Sequence, residues 1–247
     1  MKTVDKALAV LNQFSFENTE LGLSELSRMA GLDKAATRRL LVALSTHGFI
    51  EQVSDTRKYR LGNGFLRLAR IREATVPVAR VAQEVADWLM AQSGETVHVS
   101  IPGAQGMTTI AHRLPNRGHV VNIDPSELLH YHATASGLAF LAFCSDETAK
   151  VILELPRRKV TEATITSKSQ LRHMAATFKR QGYSQTRNTF EADVSSLAMP
   201  FFQDGADPAG AVAIALPQND LTNERCAALL PLLQVAVTRI ETALTGL

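Results

Sequence analysis

Only two cysteines, Cys144 and Cys226, occur in the 247 residues, and they stand far apart. They offer neither a disulfide framework nor a thiolate metal site, so both are expected to be packing residues in a reducing, cytoplasmic compartment. Long hydrophobic runs are also missing. No uninterrupted apolar stretch approaches the roughly 20 residues of a membrane span, and the first residues carry no signal-peptide pattern. There is no GxSxG elbow, no GxxxxGK loop followed by Ser or Thr, no GxGxxG fingerprint and no HExxH pair. The commonest signatures of hydrolases, phosphate-binding loops, dinucleotide enzymes and zinc peptidases are therefore absent. His130 and His132 form an HxH pair that, on a strand, would put both rings on one face and could start a metal site. A third and fourth ligand are not evident, and His98, His112, His119 and His173 are scattered. No catalytic residue, metal or cofactor is expected. Internal repeats and low-complexity tracts are absent as well.

Charge of one sign is scarce overall, with a formal net charge of +2, but it is unevenly placed. Residues 1–75 carry twelve basic against eight acidic side chains, and the remainder carries fourteen against sixteen. The first part is thus the one suited to a phosphate-bearing partner. The length allows two domains, each with its own core.

What is present centres on Leu23 to Gly62. Leu23, Leu26, Met29 and Ala30 mark one face of a short helix, and Leu40, Leu41 and Leu44 mark another, at spacings of three and four. Ser24 is expected to cap the first helix, and Gly31 to turn the chain before the second begins near Asp33. His47-Gly48, Phe49-Ile50, a polar tip from Ser54 to Lys58 and the returning Tyr59-Arg60-Leu61 read as a hairpin. Helix, turn, helix and hairpin together describe a winged helix-turn-helix.

With the three leucines turned inward, Lys34, Thr37, Arg38 and Arg39 are expected to face solvent at the end of the second helix that such modules present to the major groove. Lys34, Ala35, Ala36, Thr37, Arg38 and Arg39, with Arg57 and Lys58 of the hairpin tip, are the candidate DNA contacts. From Asp33 to Arg72 there are nine basic residues against three acidic ones. A Lys/Arg-bearing helix alone would fit an ordinary solvated face equally well; the helix pair, the hairpin and the local charge together favour DNA.

Along the rest of the chain, Thr3 to Phe16 reads as a first helix with Leu8 and Leu11 inward. Phe65 to Arg72 reads as a connector helix, and Pro77 as the first position of a helix ended by Gly94, with Trp88 as a packing residue. Thr96–Ile101, Met107–Ala111 and Val120–Ile123 alternate with period two and read as strands. Ser136–Phe143, Glu147–Leu155 and Leu171–Gln181 read as helices, Val194–Phe202 and Ala209–Leu216 as strands, and Thr222–Leu244 as a final helix. Strands flanked by helices without strict alternation suggest an α+β second domain. Ala135, Ser136 and Gly137 open a helix whose free N–H groups and positive dipole end favour a carboxylate.

Val4 to Leu8, Leu23-Ser24-Glu25-Leu26, Gly31-Leu32, Arg39-Leu40-Leu41 and Tyr59 to Gly62 resemble the DNA-binding domain of IclR-type bacterial transcription regulators. Glu95 to His98, His132 to Gly137, Gly182-Tyr183, Glu191 to Ser196 and Leu221 to Arg225 resemble, in order, the ligand-sensing domain of the same family. The resemblance covers essentially the whole chain. It implies a winged helix-turn-helix over 1–64, a helical linker over 65–76 and a mixed α/β, GAF-like effector-binding and oligomerisation domain over 77–247. It also implies a homodimer or dimer of dimers on a near-palindromic double-stranded operator, with no membrane partner, and gives His132 a structural or pocket-wall role. The implied effector cavity is lined by Val121, Leu129, Ala135, Ser136, Thr186, Val194, Ser196, Ala213 and Ala215. Thr186 stands where the family often has aspartate, Ser196 where cysteine is common, and Ala213 and Ala215 where small hydroxyl residues are. The expected effector is accordingly a small organic acid with an apolar body, aromatic rings included, rather than a very small keto acid. The other readings are a small-molecule-binding enzyme or carrier with an appended DNA-binding module, distinguished by turnover, and a nucleoid-type protein, against which the large second domain argues.

Overall fold

The computed structural model describes residues 2–75, 78–116, 121 and 124–245. The chain forms two compact units, Met1–Val76 and Pro77–Leu247. The fold class is α+β.

The first unit contains α1 (Thr3–Leu11), α2 (Leu23–Met29), α3 (Lys34–Thr46), β1 (Ile50–Gln52), β2 (Tyr59–Leu61) and α4 (Gly64–Thr75). Its core is Val10, Leu21, Leu26, Leu40, Leu41 and Ile50, closed by Ala7, Leu11, Phe14, Leu44 and Tyr59. The antiparallel hairpin pairs Ile50 with Leu61 and Gln52 with Tyr59. Leu21 adds a bridge to Tyr59 through two backbone hydrogen bonds of 2.8 and 2.9 Å, which ties the hairpin to the start of α2.

Four local expectations need correction here. The first helix stops at Leu11 rather than Phe16. Its inward residues are Ala7, Val10 and Leu11, and Phe14 packs on the same core beyond the helix end. Leu8 shares the outer face with Val4, four residues away, and is 52% exposed. Ser24 does not cap α2: the helix begins at Leu23, so Ser24 already lies in its first turn. Gly22 is the cap, and Glu25 reaches back to accept its N–H at 2.7 Å. Met29, at the last position of this short helix, is exposed rather than inward.

Gly31 turns between the helices at φ 65°. Gly62 is required for a different reason. A Cβ there would stand 2.3 Å from the Gly48 carbonyl oxygen, on backbone that cannot swing away. Gly62→Ala is expected to destabilise this unit by about 1–3 kcal/mol, read as a lower denaturant midpoint.

The second unit carries α5 (Val78–Ser93), β3 (Thr96–Pro102), β4 (Met107–Arg113), α6 (Ala135–Phe143), α7 (Asp146–Glu154), α8 (Lys168–Gln181), β5 (Ser184–Arg187), β6 (Val194–Phe201), β7 (Gly210–Pro217), a short 3-10 turn and α9 (Asn223–Thr245). The five strands form one antiparallel sheet in the order β4-β3-β7-β6-β5. Val97, Val99, Leu197, Val212, Ile214 and Leu216 are fully buried and alternate onto the face packed by α5 and α9. Met107, Ala198, Ala211 and Ala213 belong to the opposite core, with Leu138, Ala139 and Leu171 of α6 and α8. Small residues on that face let α6 approach the sheet closely.

Trp88 of α5 lies against the guanidinium of Arg239, 4.1 Å from the ring centroid, the packing role expected for it. By length and composition α9 could cross a membrane, but its stripe Leu229, Leu233, Ala236, Ile240 and Leu244 is buried within the unit. The edge strand β5, Ser-Gln-Thr-Arg, is an element that hydropathy does not reveal. The expected helix opening at Pro77, the turn at Arg117-Gly118 and most of the expected strand Val120–Ile123 lie outside the described residues.

Candidate functional site

Asp33 begins α3 by accepting the Ala36 N–H at 2.7 Å. That bond holds the Asp33 carboxyl below its ordinary range, with Arg39 nearby assisting. The helix then exposes Lys34, Ala35, Arg38 and Arg39, continued by Val42, Ser45 and Thr46. Ala36 and Thr37 do not belong to this surface, contrary to the sequence expectation. Thr37 is 0% exposed, and its hydroxyl donates to the Asp33 carbonyl at 2.9 Å. The reason is periodicity: residues 36 and 37 stand one turn before Leu40 and Leu41 and so share their inward stripe. Thr37→Val is accordingly expected to change operator affinity by less than about twofold, measured by fluorescence anisotropy, while Asp33→Ala lowers stability by about 1 kcal/mol.

At the hairpin tip Arg57 adopts the left-handed conformation at φ 57°, its N–H donating to Val53 and its carbonyl accepting from Gln52. Arg57 and Lys58 are exposed. Arg60, part of the basic count, is instead paired with Glu51 across the hairpin at 3.1 Å.

In the second unit, two cross-strand rows lie on the sheet face beneath α6. One runs Thr186, Ser196, Ala215 and Thr96; the next runs Ser184, Ala198, Ala213, His98 and His112. The start of α6 is fastened over them. Ser136 Oγ lies 3.0 Å from His98 Nε2, and the Ser184 hydroxyl donates to the Ala135 carbonyl at 2.6 Å. The Thr96 hydroxyl donates to the Val121 carbonyl at 2.7 Å. Six of the residues implied by the resemblance, Ala135, Ser136, Thr186, Ser196, Ala213 and Ala215, therefore meet between helix and sheet, with Val121 tied to their edge. Val194 follows on the same side of β6, half-buried. Leu129 is bridged to Met107 of β4 and joins the core around α6.

The helix start departs from expectation in one respect. The Gly137 N–H is not free: it donates to the cap hydroxyl of Thr134 at 3.1 Å. Gly137 also sits so close to the preceding turn that a Cβ would stand 2.5 Å from the Tyr131 Cα.

His98, one of several scattered histidines in the sequence, proves central. It is buried, and burial pushes its pKa down to about 4, leaving the ring neutral. Only its period-two relation to Thr96 hinted at this; the partner Ser136 is 38 residues away. His130 and His132 lie in the turn before α6 and not on a strand, so the strand geometry that would make HxH a metal pair does not arise. Their rings stand 5.4 Å apart, and His132 Nε2 donates to the Arg158 carbonyl at 2.9 Å. No group of three His, Cys, Asp or Glu side chains suited to a metal occurs among the described residues. Cys144 is buried with its thiol pushed up to about 11.

The family profile "IclR helix-turn-helix domain" matches residues 3–54, and "Bacterial transcriptional regulator IclR C-terminal" matches residues 74–242. The chain belongs to the IclR family. Within this IclR family, the HTH-type transcriptional regulator XynR of Escherichia coli K12 is 28% identical over 205 residues, 81% of this chain and 80% of its own length. The crystal structure of an ICLR transcriptional regulator from Silicibacter sp. TM1040 is 36% identical, with TM-score 0.87, covering 100% of this chain and 97% of that one. An IclR homologue from Microbacterium hydrocarbonoxydans, solved with 4-hydroxybenzoate, shares the fold at 23% identity and TM-score 0.81, with 100% of both chains covered. XynR and the Silicibacter protein both carry the description of transcriptional regulators.

Proposed function

We propose that this IclR-family chain is a sequence-specific DNA-binding regulator controlled by a small organic acid with an apolar body, aromatic acids included. Lys34, Ala35, Arg38 and Arg39 would face the major groove, and Arg57 and Lys58 the flanking backbone. The acid would bind between the start of α6 and the sheet. The observation that carries this reading is the surface beneath α6, where Ser136, bonded to His98, stands over the strand rows that carry Ala213, Ala215, Ser196 and Thr186. Small, weakly polar residues give this lining the character an apolar body would meet, and the helix start supplies N–H groups for a carboxylate. The 4-hydroxybenzoate complex of the Microbacterium relative supports an aromatic acid as one ligand this fold accommodates.

A dimer on a near-palindromic site is part of the same reading, because a single helix in one groove binds weakly. Leu66, Leu68 and Ile71 of α4 and Val4 and Leu8 of α1 are exposed apolar side chains available to a second copy. The test is selection of genomic fragments by the purified protein at physiological salt, followed by calorimetric titration with benzoate, glyoxylate and pyruvate. Recovery of one near-palindrome and binding of benzoate are expected. Tight glyoxylate or pyruvate binding without benzoate binding would overturn the choice of acid.

A further inference from the structure

Among the described residues, Val42 is the only large apolar side chain that α3 exposes, at 61%. The helix buries Ala36, Thr37, Leu40 and Leu41 and packs Leu44 on the same core. At 3.6 residues per turn, Val42 points almost directly away from that stripe. Ala35 lies two turns before it on the same line and Thr46 one turn after, while Arg38 and Arg39 flank the line on either side. Thr46 turns its hydroxyl back onto the helix, donating to the Val42 carbonyl at 3.0 Å. The crest of α3 is thus a narrow apolar strip between two guanidinium groups. Folding gives no reason for a valine there: a β-branched residue on an exposed helix face loses side-chain freedom and buries nothing in return. Its place sets Val42 apart from the other exposed apolar side chains of this unit, because it stands on the helix that carries Arg38, among charges suited to phosphates and base edges.

We propose that Val42 reads the C5 methyl group of a thymine in each operator half-site. The inference rests on the DNA-binding reading above and specifies the sequence recognised: a thymine close to the base pair that Arg38 contacts. The thymine methyl is the apolar group of the major groove, and cytosine presents an amino donor there instead. Valine has no polar atom to lose water, so it packs on the methyl without cost, whereas against cytosine it would leave the amino group unpaired. Arg38 and Val42 stand one turn, about 6 Å, apart along α3, less than two base-pair steps of about 3.4 Å, so both can reach into one half-site. Lys34, Arg38 and Arg39 around the strip argue against a second copy of α3 as its occupant, since like charges would be pressed together. A groove walled by phosphates is the complementary surface.

The test uses the operator selected by the full chain, synthesised with deoxyuridine in place of each symmetry-related pair of thymines in turn, a change that removes only the C5 methyls. Fluorescence anisotropy then measures binding to the wild type and to Val42→Ala. One such pair should lower wild-type affinity about threefold to tenfold. For Val42→Ala the same replacement should make less than about twofold difference, and its affinity for the unmodified operator should match that of the wild type for the uracil duplex. Alanine is the better helix former at an exposed position, so the variant should melt no lower than the wild type, and lost discrimination then cannot come from unfolding. A wild type insensitive to every uracil replacement, or a penalty that survives in Val42→Ala, overturns the methyl contact and leaves the DNA face standing through Arg38. Failure of the wild type to select any operator overturns both.

Discussion

Replacing Arg38 with alanine is expected to weaken binding to the specific operator about tenfold to a hundredfold and to relax base preference at one position of each half-site. Arg38 is one turn inside α3, on the face it shares with Ala35 and Val42, where a long side chain can reach base edges past a small neighbour. Arg39 is placed differently, close enough to Asp33 to help keep that carboxylate ionised. Arg57→Ala at the hairpin tip should behave in another way. Its loss removes a charge near the phosphates, so affinity should fall similarly for operator and random DNA, and the slope of log affinity against log salt should fall by about 0.9. Anisotropy titrations at several salt concentrations, with the selected operator and a scrambled duplex, separate the two outcomes. If both variants bind the operator like the wild type, DNA does not meet this face.

The second large effect is acid lability of the C-terminal unit. His98 has a folded-state pKa of about 4 against an ordinary value of 6.5, because burial opposes its charged form. Between these values the unfolded chain binds the proton and the folded chain does not. The stability His98 confers is therefore complete above about pH 6.5 and is lost as pH falls towards 4, by about 3 kcal/mol in all. His130 and His132 are shifted down by burial as well and act in the same direction. The single tryptophan, Trp88, lies in this unit, so its fluorescence during urea unfolding isolates it from the DNA-binding unit. The denaturant midpoint should drop steeply from pH 7 to 4.5 in the wild type. In His98→Gln it should begin lower, for want of the native imidazole, and vary less with pH. Parallel pH dependences in the two proteins would remove His98 as the cause.

Legibility in the sequence followed the range of the interaction. The α+β class, the helix pair, the hairpin and most strands of the sheet could be read because apolar spacing of two or of three and four is a local property of one element. Gly31 as a turn and the start of the second helix near Asp33 were readable for the same reason. Ser24 was misread because two residues can open the same helix, and the choice fell to Gly22 once Glu25 reached back to it. Thr37 was misread because polarity was allowed to outweigh position: one turn before Leu40 and Leu41, it is inward whatever its side chain. The edge strand β5 carries too few apolar residues to betray itself and exists because β6 offers it a partner.

The sequence by itself determined that one end of the chain is basic and built as a winged helix-turn-helix, and that the remainder packs strands against helices. Only the tertiary structure decided which residues share each face of that sheet. It alone placed Ser136 over His98 and set Ser184 under Ala135. These relations join residues far apart in the chain, through strand order and register, and no periodicity within a single element records which strands become neighbours.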